Sequence, residues 1–125
     1  MTSGLSAGLA IYRLLSESGI NVTRVYPVAT DEAVKPYVVY RRVSMQPAPV
    51  KDGYAADTVG IEMLVVSATY SQGVTLAERV REALDGRQWY DAESGVRLRA
   101  INLENAEEVW QDDAFIQSLT FRVKM

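Results

Sequence analysis

The sequence contains no cysteine and no histidine. That removes disulfide stapling, thiolate and imidazole metal sites, a cysteine nucleophile and a Ser-His-Asp triad. An enzyme built from this chain would have to work with Asp, Glu, Lys, Tyr or Ser alone. Basic charge is also short, with 13 Lys plus Arg against 16 Asp plus Glu and a formal charge of −3. Proteins that hold nucleic acid by phosphate neutralisation normally carry a basic excess, so bulk nucleic-acid binding is disfavoured and only a local patch stays open. No long apolar run exists. The longest nearly uncharged stretch, Met63 to Val74, has about twelve residues where a membrane span needs about twenty, and Ser67, Thr69, Ser71 and Gln72 interrupt it. Arg13 falls inside the only run that resembles a signal peptide, so the chain is read as mature and made in the cytoplasm, without a membrane partner.

What is present is the composition of a folded domain. With 125 residues, 48% hydrophobic and 23% charged, residues 1–125 are expected to form one domain around one core. From Ser3 to Ser18, Leu5, Leu9, Tyr12 and Leu15 recur at helical spacing, and Ile11 and Leu14 widen the stripe. Ser3 is a candidate N-cap and Gly19 a candidate C-terminal glycine of this helix. Asn21 to Tyr26 reads as a brief strand ended by Pro27, with a loop over Val28 to Lys35. Tyr37 to Val43 and Val59 to Tyr70 read as two strands of a long hairpin. The intervening Ser44 to Thr58 exceeds a usual hairpin connection, and such loops are commonly functional. Thr75-Leu76-Ala77-Glu78 has the form of a capping box for a second helix ending at Gly86, and Ser71 offers a start one turn earlier. Gln88 to Asp91, a turn at Glu93-Ser94-Gly95, Val96 to Leu103 and Phe115 to Met125 complete the chain. The last segment alternates cleanly, with Phe115, Leu119, Phe121, Val123 and Met125 on one face. The expected fold class is α+β: a mainly antiparallel sheet of five to six strands packed with two helices.

Tyr37 to Tyr40 and Met63 to Val66 are apolar on both faces, unlike a half-buried strand. Either one helix covers each face, or an uncovered apolar face is a subunit interface. Tyr37, Val39, Tyr40, Met63 and Val65 are the candidate interface residues, and Gln46, Val50, Lys51, Asp52 and Tyr54 the candidate partner-contacting residues of the long loop. Arg97 and Arg99, and Arg122 and Lys124, share one side of their strands. They form a basic stripe if those strands are neighbours, and otherwise only the solvent face of a sheet. Glu104, Glu107, Glu108, Asp112 and Asp113 match no ordered cation-ligand spacing and read as a solvated acidic connection. No catalytic residue, metal site or cofactor is assigned. Nothing assembles a nucleophile, a base and an oxyanion site.

Arg24-Val25-Tyr26-Pro27, followed by Pro36-Tyr37-Val38-Val39-Tyr40-Arg41, resembles the phage tail-completion family. The resemblance continues through Thr58 to Ser71, the second helix with its Leu84-Asp85-Gly86 ending, the acidic connection and the final strand Phe115 to Val123. Members of that family close the head-proximal end of a long tail tube. The resemblance implies a structural protein of a phage or prophage virion, located at the head-tail junction. It implies self-association into a ring, expected to be hexameric, between the major tail-tube protein and a head-completion or connector protein, with DNA only as passing cargo. The loop Ser44 to Thr58 aligns with nothing in the family. Two alternatives remain: a head-tail connector or stopper, and a small ligand-binding regulatory domain with Trp89 or Trp110 lining its pocket.

Overall fold

A computed structural model describes residues 4–17, 25–27, 35–47, 57–92 and 95–125. A 3₁₀ turn, Gly4–Ser6, leads into α1, Ala7–Glu17. Strands β1 (Val25–Pro27), β2 (Tyr37–Gln46) and β3 (Thr58–Ser67) precede α2 (Tyr70–Leu84). Strands β4 (Trp89–Asp91), β5 (Val96–Leu98), β6 (Ala100–Gln111) and β7 (Ala114–Lys124) follow. One five-stranded sheet has the order β1-β2-β3-β7-β6, and β4 and β5 form a separate two-stranded sheet. The expected α+β class and the β2–β3 hairpin are both present. Among the described residues all pairings are antiparallel except the short parallel match of β1 with β2.

Both helices pack on the same face of the sheet. Val38 and Tyr40 of β2, Ile61, Met63 and Val65 of β3, and Leu119, Phe121 and Val123 of β7 share one core with Ile11 and Leu14 of α1 and Val80 and Leu84 of α2. This decides against one helix on each face. The α1 stripe is also rotated from its sequence reading: Leu5, Leu9 and Tyr12 are exposed, whereas Ala7, Ala10, Ile11, Leu14 and Leu15 are buried. Small Ala7 and Ala10 let the helix lie close to the sheet, and that packing outweighs the larger apolar residues on the adjoining side. Ser3 and Gly19, the expected helix caps, lie outside the described residues, as do residues 21–24 of the expected first strand.

Helix α2 begins earlier than the Thr75 capping box. Thr69 is its N-cap, with Oγ1 accepting from the Gln72 amide at 3.2 Å, and Thr75 is an exposed residue within the helix. The helix crosses close to β3, because a Cβ at Gly73 would come within 2.5 Å of Ser67 Oγ. Its C-terminus is sewn onto β6. Gly86 N donates to Ile101 O at 2.6 Å, Ile101 N to Arg87 O at 3.1 Å, and Leu103 N to Asp85 Oδ1 at 2.8 Å.

The stretch read as an acidic connection is a strand. β6 runs to Gln111 and returns into β7 through Asp112 and Asp113, whose φ values of 52° and 58° make a tight hairpin turn. Two successive left-handed residues are the signature of a type I′ turn, and Asp is among the few residues that enter this region readily. Residues 104–111 are exposed on both faces, so no alternation of apolar and polar residues marks them as a strand. Buried Asp57 ties Gly4 to Met125: its Oδ2 accepts from Gly4 N at 2.6 Å, and its backbone carbonyl accepts from Met125 N at 3.0 Å. Among the described residues no helix is long and apolar enough to cross a membrane.

Candidate assembly surfaces

Of the five residues expected at an interface, three belong to the subunit's own core. Tyr40 is 8% exposed, and Met63 and Val65 are fully buried beneath the helices. They have no surface left to offer a neighbour. Tyr37 and Val39 point to the helix-free face, where Val39 is also buried and Tyr37 is half-buried. The same face carries Leu64 and Val66 of β3 and Ile116, Ser118 and Thr120 of β7, all at least half-buried. It is therefore less open than an uncovered apolar sheet would be. Of the long-loop residues, Gln46 ends β2 and is exposed; Val50, Lys51, Asp52 and Tyr54 lie outside the described residues.

The four basic residues do not form one stripe. Arg97 lies on β5, which pairs with β4 and not with the main sheet, and Arg99 lies between β5 and β6. Arg97 stands over the Tyr90 ring, 5.3 Å from its centroid. Together with Trp89 and Arg99 these residues line a groove of about 440 Å³. Arg122 and Lys124 line another groove, of about 350 Å³, with Ser44, Gln46 and Glu104. There Arg122 Nη2 meets Glu104 Oε1 at 2.5 Å, so its charge is already answered within the subunit. Backbone contact links the two sets, because Arg99 N donates to Lys124 O at 2.7 Å, but the side chains serve different grooves.

The acidic residues of β6 are likewise distributed. Glu107 pairs across from Ser118 and faces the helix-free side, whereas Glu108, across from Gln117, faces the helices. Glu108 Oε2 accepts from Tyr70 Oη and from Gln117 Nε2, both at 2.9 Å. The Gln117 bond, followed by that of Tyr70, holds the Glu108 carboxyl below its ordinary range, and the same contact raises the Tyr70 hydroxyl. Trp110 is 55% exposed and packs on Phe115 at 4.6 Å between centroids, and Tyr70 meets Phe115 edge-on at 5.8 Å. These rings line a shallow depression of about 230 Å³ at the outer end of β6 and β7.

Apart from Val43 on β2 and Tyr90 on β4, the exposed large apolar side chains of the described residues collect in two places that the sequence pattern does not single out. One is the α1 stripe of Leu5, Leu9 and Tyr12, where Tyr12 stacks on Tyr40 of β2. The other is Val109 and Trp110 on β6, with Tyr70 beside them. Among the described residues, the grooves that the two tryptophans line are not between sheet and helices, the place that a ligand-binding domain would give them. Trp110 sits at the sheet's edge, and Trp89 borders the open groove beside the small hairpin. Among the described residues no cluster of Asp and Glu is arranged to hold a metal ion.

Comparison with solved structures places a virion chain of a native gene transfer agent particle over 94% of this chain and 95% of its own length, with a TM-score of 0.76 and 21% identity. At that identity the likeness is one of fold. No curated protein sequence matches. The sequence model of one family, described as tail completion protein gp17, matches residues 5–125. On that match the chain belongs to the tail completion protein gp17 family, as a phage-type structural protein of the virion tail and not an enzyme.

Proposed function

We propose that several copies of this chain close into a ring, expected to be hexameric, on the head-proximal end of the tail tube. The ring stops tube polymerisation and presents the surface to which a head-completion or connector protein joins. The observation that carries this reading is the match to the tail completion family model over residues 5–125. The shared fold with a chain of a gene transfer agent virion supports a place in a virion particle. Physical features agree. Exposed apolar residues lie on two separate parts of the subunit, and a head-to-tail ring needs two different patches. A subunit with a net charge of −3 also suits a passage through which DNA moves without being gripped.

The experiment is assembly in vitro with purified tail-tube protein. Tubes grown with this chain should be shorter and carry a ring at one end. Unchanged tube lengths, with this chain left free in solution, would defeat the proposal. Binding to a head-completion protein in preference to tubes would favour the connector or stopper alternative.

A further inference from the structure

Given the ring just proposed, the edges of the sheet point to how neighbouring subunits meet. β6 is the outer strand on one side, twelve residues long, paired only with β7 among the described residues. Over residues 104–111 every side chain is exposed, whichever face it points to. Such an edge offers a row of free backbone donors and acceptors, and proteins normally shorten, cover or interrupt it. This one is long, has no proline and carries Val109 and Trp110 at 50% and 55% exposure. It has the character of a strand awaiting a partner.

The opposite edge supplies a matching segment. β1 covers only Val38, Val39 and Tyr40 of β2, so the outer edge of residues 41–46 has no strand partner among the described residues. The charges of the two edges are opposite. β2 presents Arg41 and Arg42, and β6 presents Glu104, Glu107 and Glu108. Arg41 already engages Glu62 at 2.9 Å, but Arg42 is exposed and lies across from Ile61, on the helix-bearing side. Glu108 and Trp110 lie on that same side of β6. The apolar patches follow the same geometry: Tyr12 of α1 stacks on Tyr40 of β2 on the helix-bearing side, and Trp110 stands on that side of β6.

We infer that the β6 edge of one copy docks antiparallel on the 41–46 edge of β2 in the next copy, continuing the sheet from subunit to subunit around the ring. Strand direction supports the antiparallel sense. Within one subunit β2, β3, β7 and β6 alternate, so β6 runs opposite to β2. A rotation about an axis roughly along the strands preserves that opposition at the junction. Edge-to-edge strand addition gives the contact its backbone hydrogen bonds. Arg42 facing Glu108 sets the register, and Trp110, two residues further along β6, lies at the end of the contact, where β1 takes over the edge of β2 at Tyr40. The contact is heterologous, as ring closure requires.

A pair of charge reversals tests this directly. Arg42→Glu sets two carboxylates against each other at every junction, and Glu108→Lys sets two cations against each other there. Each variant alone should raise the concentration needed for ring formation at least tenfold, measured by sedimentation or native mass spectrometry, with circular dichroism matching the wild type. Mixed in equal amounts, the two should assemble again, because alternating copies restore an opposite pair at every junction. The double variant should assemble by itself for the same reason. Rings that form as readily with either single variant as in the wild type, or variants that neither the mixture nor the double variant rescues, would overturn the edge-to-edge contact while leaving the ring reading intact. If the wild type forms no ring, even on tail tubes, the ring reading itself fails.

Discussion

Asp85 is the point at which helix α2 is tied to the sheet, and its removal has a calculable cost. Oδ1 accepts the Leu103 amide at 2.8 Å, next to the register shift between Leu103 and Asn105 where the β6–β7 ladder is interrupted. Oδ2 lies 3.2 Å from Arg81 Nε. A hydrogen bond to a charged acceptor contributes about 1.5–3 kcal/mol when the donor is otherwise left without a partner. The exposed Arg81 pair adds only about 0.3–0.5 kcal/mol. Against these stands a carboxylate at the C-terminal end of a helix, unfavourable by roughly 0.5 kcal/mol. Asp85→Ala should therefore cost about 2 kcal/mol, equivalent to a fall in Tm of roughly 6–8 °C for a domain of this size. Asp85→Asn, which keeps an acceptor without the charge, should lose about half as much. The Leu103 bond holds the carboxyl below its ordinary value of 3.8, outweighing the opposing effect of burial, with smaller help from Arg81. A lowered folded pKa stabilises above 3.8, and that contribution is lost as the pH falls through the lower folded value. The difference between wild type and Asp85→Ala should be full at pH 7 and close on acidification below about pH 4. Thermal unfolding of the three proteins at several pH values provides the assay. A Tm difference below about 2 °C at pH 7, or a difference that widens in acid, would show that Asp85 does not tie the helix to the sheet in this way.

Other perturbations test the rest of the fold. Phe121→Ala empties a fully buried position at the centre of the sheet and should cost about 3–5 kcal/mol, measured by chemical denaturation. Gly73→Ala brings a methyl to within 2.5 Å of Ser67 Oγ and should destabilise by about 1–2 kcal/mol in spite of alanine's better helix propensity; a more stable variant would show that the contact relaxes freely. Arg13→Ala removes the guanidinium 2.5 Å from Asp91, whose side chain is only 7% exposed, and should cost about 2 kcal/mol in the same assay. Trp110→Ala should leave the monomer's Tm within about 2 °C, since surface truncations have small effects, but should weaken self-association.

The elements legible in the sequence are those whose burial is one-sided or complete. Phe115, Leu119, Phe121 and Val123 alternate because one face of β7 meets the helices, and the structure keeps that face. β2 and β3 are legible as strands because they are almost continuously apolar. Their two-sided apolarity is open to two readings, and the structure resolves it unequally: Val38, Tyr40, Met63 and Val65 are core, while Val39 and Val66 are buried on the other face. β6 is hidden for the opposite reason. A strand exposed on both faces has no hydrophobic period, and Asp-Asp is a less familiar hairpin turn than Asn-Gly. The exposed residues of the proposed assembly surfaces lie partly in that hidden strand. The rest lie on α1, where Leu5, Leu9 and Tyr12 have the right spacing for a core face, and only the packing of Ala7 and Ala10 reveals that they point outward.

Capping of tail tubes can be seen by electron microscopy of tubes grown from the tail-tube protein with and without this chain. A capping protein should appear as a ring at one end of each tube, with no further elongation from that end. Tubes of unchanged length with bare ends, in the presence of excess folded protein, would contradict capping.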